Sequence, residues 1–227
     1  LLIYFISVSL FEKNKNKNAI ALFASLIFAI SPWHINLSRV AVESTIVLFF
    51  ISLGIFLYFR YLKNKRFVIL ILSLVSFGIN FFIYQAPRAF LPLFIPFLVA
   101  NFDNLKEVIR NKLQILIYIL IIIVPVFFIV SSEDLSWRIQ SLSIFHHPET
   151  KLVIWEQLTT DAVQGVPNLL SRFFHNKVTG FSLLFLDNYF THLSFDFLFS
   201  DGGFPDRFRI PKVGLLYIFD LPLMLLA

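Results

Sequence analysis

Apolar runs separated by short polar segments dominate the chain up to residue 131 and reappear at its end. These runs cover residues 1–11, 19–33, 42–61, 67–85, 88–102, 113–131 and 213–227. A helix needs about 20 residues to cross a bilayer, so the longer runs predict membrane-spanning helices. The runs 19–33 and 88–102 are short, which predicts tilting or extension into flanking residues. The predicted fold is all-α, a polytopic bundle of transmembrane helices.

Residues 132–212 carry a different pattern and are too many for a simple connection. Apolar positions within 151–174 follow helical spacing, and Gly165 with Pro167 predicts a break between two helices. Amphipathic helices of this kind are typical of segments that lie in the membrane interface.

Residues 181–199 are still richer in Phe and Leu, yet polar residues recur there at every fourth position. These residues are Asn188, His192 and Asp196. Positions i, i+4 and i+8 share one face of an α-helix, so we expect a narrow polar stripe on an otherwise apolar helix. The segment 132–212 is therefore predicted to contain amphipathic interfacial helices.

Composition places the chain among integral membrane proteins. Hydrophobic residues make up 58% and charged residues 15%, whereas soluble domains carry about 25% charged residues. The absence of Cys excludes disulfides, thiolate metal sites and Cys nucleophiles. The net charge of +5 does not predict binding to nucleic acid, because the basic residues form short clusters between apolar runs.

The positions of these clusters predict which loops face the cytoplasm. Alternate connections hold ten basic residues, whereas the others hold only Arg39 and Arg88. The ten are Lys13, Lys15, Lys17, Arg60, Lys63, Lys65, Arg66, Lys106, Arg110 and Lys112. By the positive-inside rule the basic loops are cytoplasmic, and 31–41, 84–89 and 132–212 are extracytoplasmic. We expect a multi-pass protein of the cell membrane, with the bilayer as a partner.

Three parts of the chain follow from this topology. Residues 1–131 are predicted to form membrane helices, 132–212 an extracytoplasmic segment, and 213–227 the start of a further membrane helix. The chain begins with Leu1 rather than Met, and its last apolar run stops within a predicted helix. We therefore expect an internal part of a longer protein.

The first candidate site is a polar island at residues 31–41, between two apolar runs. It holds His34 and Arg39, and Glu43 follows just inside the next run. Ionisable groups at a membrane boundary are costly and often functional. The alternative is an i,i+4 ion pair between Arg39 and Glu43 that caps a helix, with Trp33 and His34 as interface anchors.

The second candidate site is the turn around Tyr84 and Arg88. Pro87 and Pro92 predict a turn into a new helix, and Arg88 falls near its N-terminus. A cation is unfavourable there, so helix stability alone does not select it. Beside free backbone N–H groups, a guanidinium makes a good anion site. The alternative is an Arg that extends its head group to the membrane surface.

Weaker candidates lie in the outward segment. Residues 174–177 with the stripe Asn188, His192 and Asp196 form either a binding face or a solvated helix face. The Gly-rich loop 201–209 is either a phosphate or acceptor loop or a surface turn. Adjacent His146 and His147 rarely bind one ion, so no metal site and no cofactor are predicted, although a divalent metal is left open.

The order of these motifs resembles the GT-C membrane glycosyltransferases, in particular the protein O-mannosyltransferase-like and aminoarabinose-transferase-like group. The residues that carry the resemblance are Ser31-Pro-Trp-His34, Ser38-Arg39, Glu43, Tyr84, Arg88, Pro92, Phe174-His-Asn-Lys177, Asn188-Tyr-Phe-Thr-His192, Phe195-Asp-Phe-Leu-Phe199, Gly214-Leu-Leu-Tyr217 and Asp220-Leu-Pro222. The resemblance covers nearly the whole chain and depends on order and topology, since each motif alone is loose.

The resemblance implies an enzyme that takes a sugar from a polyprenyl-phosphate carrier and transfers it, with inversion, to a protein, lipid or glycan acceptor outside. It implies donor-phosphate binding by His34, Arg39 and Arg88, and an auxiliary role for Glu43. Tyr84, Asn188, His192 and Asp196 are then substrate-binding candidates. The family's main acidic base would precede Leu1, so we expect these residues to be inactive alone.

Two other functions compete with this interpretation. A transporter or flippase of lipid-linked sugars is expected to place charged residues and broken helices at the middle of the bilayer. Here the ionisable groups of the candidate sites fall at the outer boundary, and Asp220 is the exception within an apolar run. A non-catalytic membrane assembly protein is expected to scatter the polar clusters in space.

Overall fold

The computed structural model describes residues 1–40, 43–102, 111–131, 148–203 and 210–226. Every regular element in these residues is helical, which confirms the predicted all-α class. The helices are α1 Leu2–Leu10, α2 Lys17–Ile30, α3 Pro32–Val40, α4 Glu43–Asn64, α5 Phe67–Ile83, α6 Ala86–Phe102, α7 Lys112–Val130, α8 Pro148–Val163, α9 Asn168–Phe174, α10 Lys177–His192 and α11 Asp220–Leu226, with a π-helical turn at Phe197–Asp201.

Helices α4 to α7 match four of the predicted apolar helices, with ends shifted by a few residues. Among the described residues, α4 is long and apolar enough to cross a membrane by itself. The bent pair α2 and α3 also qualifies if it is counted as one span. Helices α5 and α6 and the stretch Gln114–Phe127 are apolar but shorter.

The core lies between α4 and α5, which pack against each other along their length. Phe77 and Leu70 of α5 are buried there, and the Ser73 hydroxyl donates a hydrogen bond of 2.7 Å to the carbonyl oxygen of Gly54. A Cβ atom at Gly54 would lie 2.7 Å from the ring of Phe77. The missing side chain therefore allows the two helices their close approach.

The predicted loop at 31–41 was wrong, because most of this island is helix α3. Ser31 adopts an extended conformation, with φ −58° and ψ 131°, as expected for a residue before proline. Pro32 then begins α3, where a missing N–H costs nothing. The axes of α2 and α3 differ by 54°, so the island continues the apolar run as a bent helix.

The predicted helix start at 213 was also wrong, since α11 begins only at Asp220. Residues 213–219 form an irregular stretch of bends and turns, because their backbone groups bond elsewhere. The amide of Leu216 donates to the carbonyl oxygen of Leu198 in the π-helical turn, at 2.8 Å. A Cβ atom at Gly214 would lie 2.4 Å from the backbone carbon of Phe199, so the segment 213–219 lies directly on that turn.

The break predicted in 151–174 is confirmed. Helix α8 ends at Val163, Gly165 has φ +76°, and α9 follows Pro167. The two helices are joined across the break by the Ser171 hydroxyl, which donates to the Asp161 carboxylate at 2.6 Å.

The polar stripe predicted on one helix is interrupted. Helix α10 carries Asn188 and ends at His192, and Asp196 belongs to the next turn. The side chain of Asn176 caps the start of α10 by accepting a hydrogen bond of 3.0 Å from the amide of Thr179. No residue of α10 is fully buried, so its Phe and Leu side chains lie mostly at the surface.

Candidate functional site

The corner between α2 and α3 concentrates buried polar atoms. Ser31 Oγ, His34 Nδ1 and Asn36 Oδ1 are buried and have no hydrogen-bond partner among the described residues. Thr45 Oγ1, in the first turn of α4, is likewise buried and without a hydrogen-bond partner among these residues. Buried polar atoms almost always find a partner, so four unpaired ones within a short stretch mark an arrangement suited to a polar ligand.

The local sequence explains how these groups are held. The His34 ring lies 4.5 Å from the ring of Phe28 and 5.9 Å from that of Trp33, measured between centroids. Because α3 begins at Pro32, Asn36 follows one turn later on the same helix face, and both residues are buried. The imidazole is therefore fixed between two aromatic rings, with one nitrogen available.

A chain of contacts joins this corner to the π-helical turn after α10. The amide of Trp33 donates to the carbonyl oxygen of Leu215 at 3.2 Å, and Leu216 is bonded in turn to Leu198 of the π-helical turn. The ring of Phe197, in the same turn, packs against the His192 ring at 4.7 Å. The polar corner and His192, which are far apart in sequence, are thus connected through residues 213–219.

Asp220 lies at the end of this connection and is 6% exposed. Its Oδ2 accepts a hydrogen bond of 2.9 Å from the amide of Tyr217. Its Oδ1 is buried without a partner in the described part of the chain. The sequence marks this carboxylate as costly in an apolar run, and the structure places it at the start of α11.

Arg39 and Glu43 lie on successive helices, Arg39 near the end of α3 and Glu43 at the start of α4. Both are exposed, and no ion pair within 4.0 Å joins these two described side chains. The capping ion pair considered as an alternative is therefore not formed. Both charges are accessible from outside the helices.

Arg88 lies in the first turn of α6, after the turn that begins at Tyr84. Its Nε donates a hydrogen bond of 2.9 Å to the carbonyl oxygen of Phe81, near the end of α5. Cationic side chains at a helix C-terminus satisfy its last carbonyl groups and interact well with the helix dipole. Arg88 thus has a structural role that the sequence did not reveal, and Tyr84 is 36% exposed beside it.

Most of the described candidates in the segment that was predicted to face outward are at the surface, but Gly202 is buried and His175 is half-buried. His192 Nδ1 lies 2.5 Å from the carbonyl oxygen of Asn188, so Nδ1 carries a proton that it donates. Asn188, His192 and Asp196 are exposed. The side chain of Asn188 remains available, because the contact with His192 uses its backbone.

The structure therefore joins some candidates and leaves others on separate elements. His34 is linked to His192 through residues 213–219, as described above. Helix α3 packs against α2 and α4, whereas α6, which carries Arg88, packs against α5 and α7.

Sequence reasoning missed several polar residues. It named Ser31 only as part of the resemblance, and it passed over Asn36, Thr45 and also Asn80, whose buried Nδ2 donates to the carbonyl oxygens of Ser76 and Phe77. Small polar residues in a predicted membrane helix were a usable signal for Asn80 and Thr45. For Asn36 the signal was Pro32. If Pro32 begins a helix, Asn36 follows one turn later on the same buried face.

Two candidates lie outside the described residues or largely so. These are His146 and His147, and positions 204–209 of the Gly-rich loop. In the described part of the chain, no group of three His, Cys, Asp or Glu side chains could hold a metal ion.

Comparison of the chain with protein-family models, with curated proteins and with solved structures finds no match.

Proposed function

We propose that the chain is part of an integral membrane glycosyltransferase that transfers a sugar from a polyprenyl-phosphate donor to an acceptor on the extracytoplasmic face. In this proposal α1, α2 with α3, and α4 to α7 form a polytopic bundle in the cell membrane, and α8 to α10 lie in its outer interface. The acceptor is a protein, a lipid or a glycan.

The reaction is a displacement at the anomeric carbon of the donor sugar. An acceptor hydroxyl oxygen forms the new bond while the bond to the lipid phosphate breaks, and a carboxylate accepts the hydroxyl proton. Cations stabilise the charge that grows on the departing phosphate. We assign that role to Arg39 and Arg88, together with His34, and we assign Glu43 to the orientation of Arg39 or of the sugar.

The observation that carries the proposal is the set of unpaired polar atoms at the α2–α3 corner, at Ser31, His34 and Asn36. A sugar phosphate offers both hydrogen-bond donors and acceptors to such a set. The bonds through 213–219 join this corner to the turn after α10. Donor groups and acceptor-side groups, among them Asn188, His192 and Asp196, would then act in one place.

The distribution of charge supports the membrane orientation. Lys13 and Lys17 lie beside Arg60 and Lys63 in one groove, so two of the clusters predicted to be cytoplasmic are together. Helix α2 begins at Lys17 and ends at Ile30, beside the polar corner. The basic groove and the polar corner therefore lie at opposite ends of one apolar helix, as the positive-inside rule requires.

The test is transfer of radiolabelled sugar from polyprenyl-phosphate donors in membranes that contain the complete protein. Arg39→Ala and Arg88→Ala are compared with wild type at matched expression. Arg172→Ala, an exposed Arg on α9, is the matched control. Because the two candidate cations face the leaving phosphate in this proposal, each substitution should lower transfer by about 100-fold, and the control should not.

Two results would contradict the proposal. Transfer unchanged by Arg39→Ala and Arg88→Ala would make both residues boundary anchors. No transfer from any polyprenyl-phosphate donor, together with movement of the lipid-linked sugar across the membrane, would favour a flippase.

A further inference from the structure

A groove of about 820 Å³ opens where α1, α2, α4 and α6 meet, at the end of α2 opposite the polar corner. Such a volume lies within the usual range for small-molecule sites, about 300–1,000 Å³. None of the candidate donor or acceptor residues lines it. It is therefore separate from the site proposed for sugar transfer.

The rim of this groove is basic. Lys13, Lys17, Arg60 and Lys63 line it, with Glu12 as the acidic residue among them. Glu12 forms an ion pair with Lys63, with Nζ and Oε1 2.5 Å apart. The hydrogen bond from Lys63 and then its charge, with a further contribution from the charge of Lys17, hold the pKa of Glu12 below its usual value. Since Glu12 stays ionised, it neutralises one cation and leaves an excess of positive charge.

The floor of the groove is apolar and aromatic. Phe5 of α1 and Phe56 of α4 lie 5.6 Å apart between ring centroids, and Phe59 and Phe102 lie 5.2 Å apart. Phe5 and Phe102 remain 45% and 42% exposed. The guanidinium of Arg60 lies 5.9 Å from the Phe56 ring centroid, at the boundary between floor and rim.

We infer that this groove binds an anionic phospholipid of the cytoplasmic leaflet, with the headgroup phosphate at Lys13, Lys17 and Arg60 and the acyl chains over the Phe-lined floor. The inference rests on the membrane orientation in the proposed function. A basic rim beside an apolar floor matches the two parts of such a lipid, and basic pockets on the cytoplasmic side suit anionic headgroups. A free phosphate would use the rim and leave the floor unused.

The experiment measures lipid binding to the complete protein, purified in a non-ionic detergent, by native mass spectrometry. The probes are short-chain phosphatidylglycerol, short-chain phosphatidylcholine and inorganic phosphate as competitor. We expect phosphatidylglycerol to bind at least tenfold more tightly than phosphatidylcholine, and millimolar inorganic phosphate to leave it bound.

Two double variants, each of which removes two positive charges, distinguish lipid binding in the groove from general electrostatic attraction to the protein. Lys17→Gln with Arg60→Gln should weaken phosphatidylglycerol binding by about 30-fold. Lys15→Gln with Arg66→Gln removes two exposed cations from the same two basic clusters but outside the groove, and should weaken phosphatidylglycerol binding less than threefold. Glu12→Gln should strengthen binding, because it removes the negative charge from the rim.

Three outcomes would overturn the inference. They are equal binding of the two lipids, equal losses in the groove and control variants, and displacement of phosphatidylglycerol by inorganic phosphate, which would show a site for the phosphate alone. Because the readout is binding, the result is independent of sugar transfer. If the protein binds the lipid but transfers no sugar, only the proposed function is contradicted. If it transfers sugar but shows no lipid selectivity, only this inference is contradicted.

Discussion

The backbone amide of Trp33 donates a hydrogen bond to the carbonyl oxygen of Leu215 at 3.2 Å, although the two residues lie near opposite ends of the chain. This contact places the polar corner of α2 and α3 against the turns that precede α11. It also brings the π-helical turn after α10, through Leu216 and Leu198, to the same region. The connection between the polar corner and the turn after α10 depends on this contact.

Cross-linking tests this contact directly. The chain contains no Cys, so the thiols introduced by Trp33→Cys and Leu215→Cys have no native thiol of this sequence to compete with them. We expect a short bis-maleimide to join them, so that the two pieces stay together on a denaturing gel after the intervening chain is cut. Leu26→Cys with Leu215→Cys, placed further back along α2, should give little product and is the control.

Gly214 should control how the turns 213–219 are held. A Cβ atom there would lie 2.4 Å from the backbone carbon of Phe199 and 2.5 Å from the Leu198 carbonyl oxygen. Backbone cannot move aside as a flexible side chain does, so Gly214→Ala should displace the segment. We expect the Trp33–Leu215 cross-link to fall at least severalfold, whereas Val213→Ala should leave it intact. An unchanged yield in Gly214→Ala would show that the segment is held in another way.

The two candidate arginines should differ in their effect on stability. Arg88→Ala removes the hydrogen bond to the Phe81 carbonyl oxygen and should lower the free energy of unfolding by about 1–2 kcal/mol. Arg39 is exposed and forms no ion pair with Glu43, so Arg39→Ala should leave stability unchanged while lowering transfer. Thermal unfolding of both purified variants measures the difference. Equal destabilisation would show that Arg39 also has a structural role.

Gly54 should be sensitive to the smallest enlargement. Gly54→Ala places a methyl group within 2.7 Å of the Phe77 ring, which is buried between α4 and α5. Overpacking of this kind costs about 1–3 kcal/mol. Because Phe77→Leu shortens the opposing side chain, the double variant should recover part of the loss relative to the two single changes. Additive losses in thermal unfolding would contradict the close approach of the helices.

Acidification should remove the contribution of the Glu12–Lys63 pair. The pKa of Glu12 is held below its usual value of 4.5, so the folded state binds this proton less readily than the unfolded state. The stabilisation is therefore complete above 4.5 and is lost as the pH falls through the lower folded-state pKa. The difference in unfolding temperature between wild type and Glu12→Gln should be small at pH 7, as for other surface pairs, and should vanish in acid. A difference that grows in acid would show the opposite shift.

The features that the sequence predicted well depend on local chemistry. Apolar runs predicted α4 to α7, and Gly165 with Pro167 predicted the break between α8 and α9. The island at 31–41 was predicted as a loop because its polar residues outweighed the helix-starting signal of Pro32. Helix propensity is a weak signal beside burial, and here Pro32 and Asn36 are buried against neighbouring helices.

The features that the sequence did not predict are long-range contacts. Nothing near Leu215 or Leu216 indicates that their backbone groups bond to Trp33 and Leu198. The apolar run that begins at residue 213 was therefore predicted to be a helix from its first residue. The bond from Arg88 to Phe81 was missed for a similar reason, because it requires the angle between two helices. Patterns of apolar residues describe what is buried, and they do not specify the partner.

The turns at 213–219 also constrain motion. They are fastened on one side to Leu198 and on the other to Trp33, each by a backbone hydrogen bond. The turn that follows α10 therefore cannot separate from the start of α3 unless one of these bonds breaks.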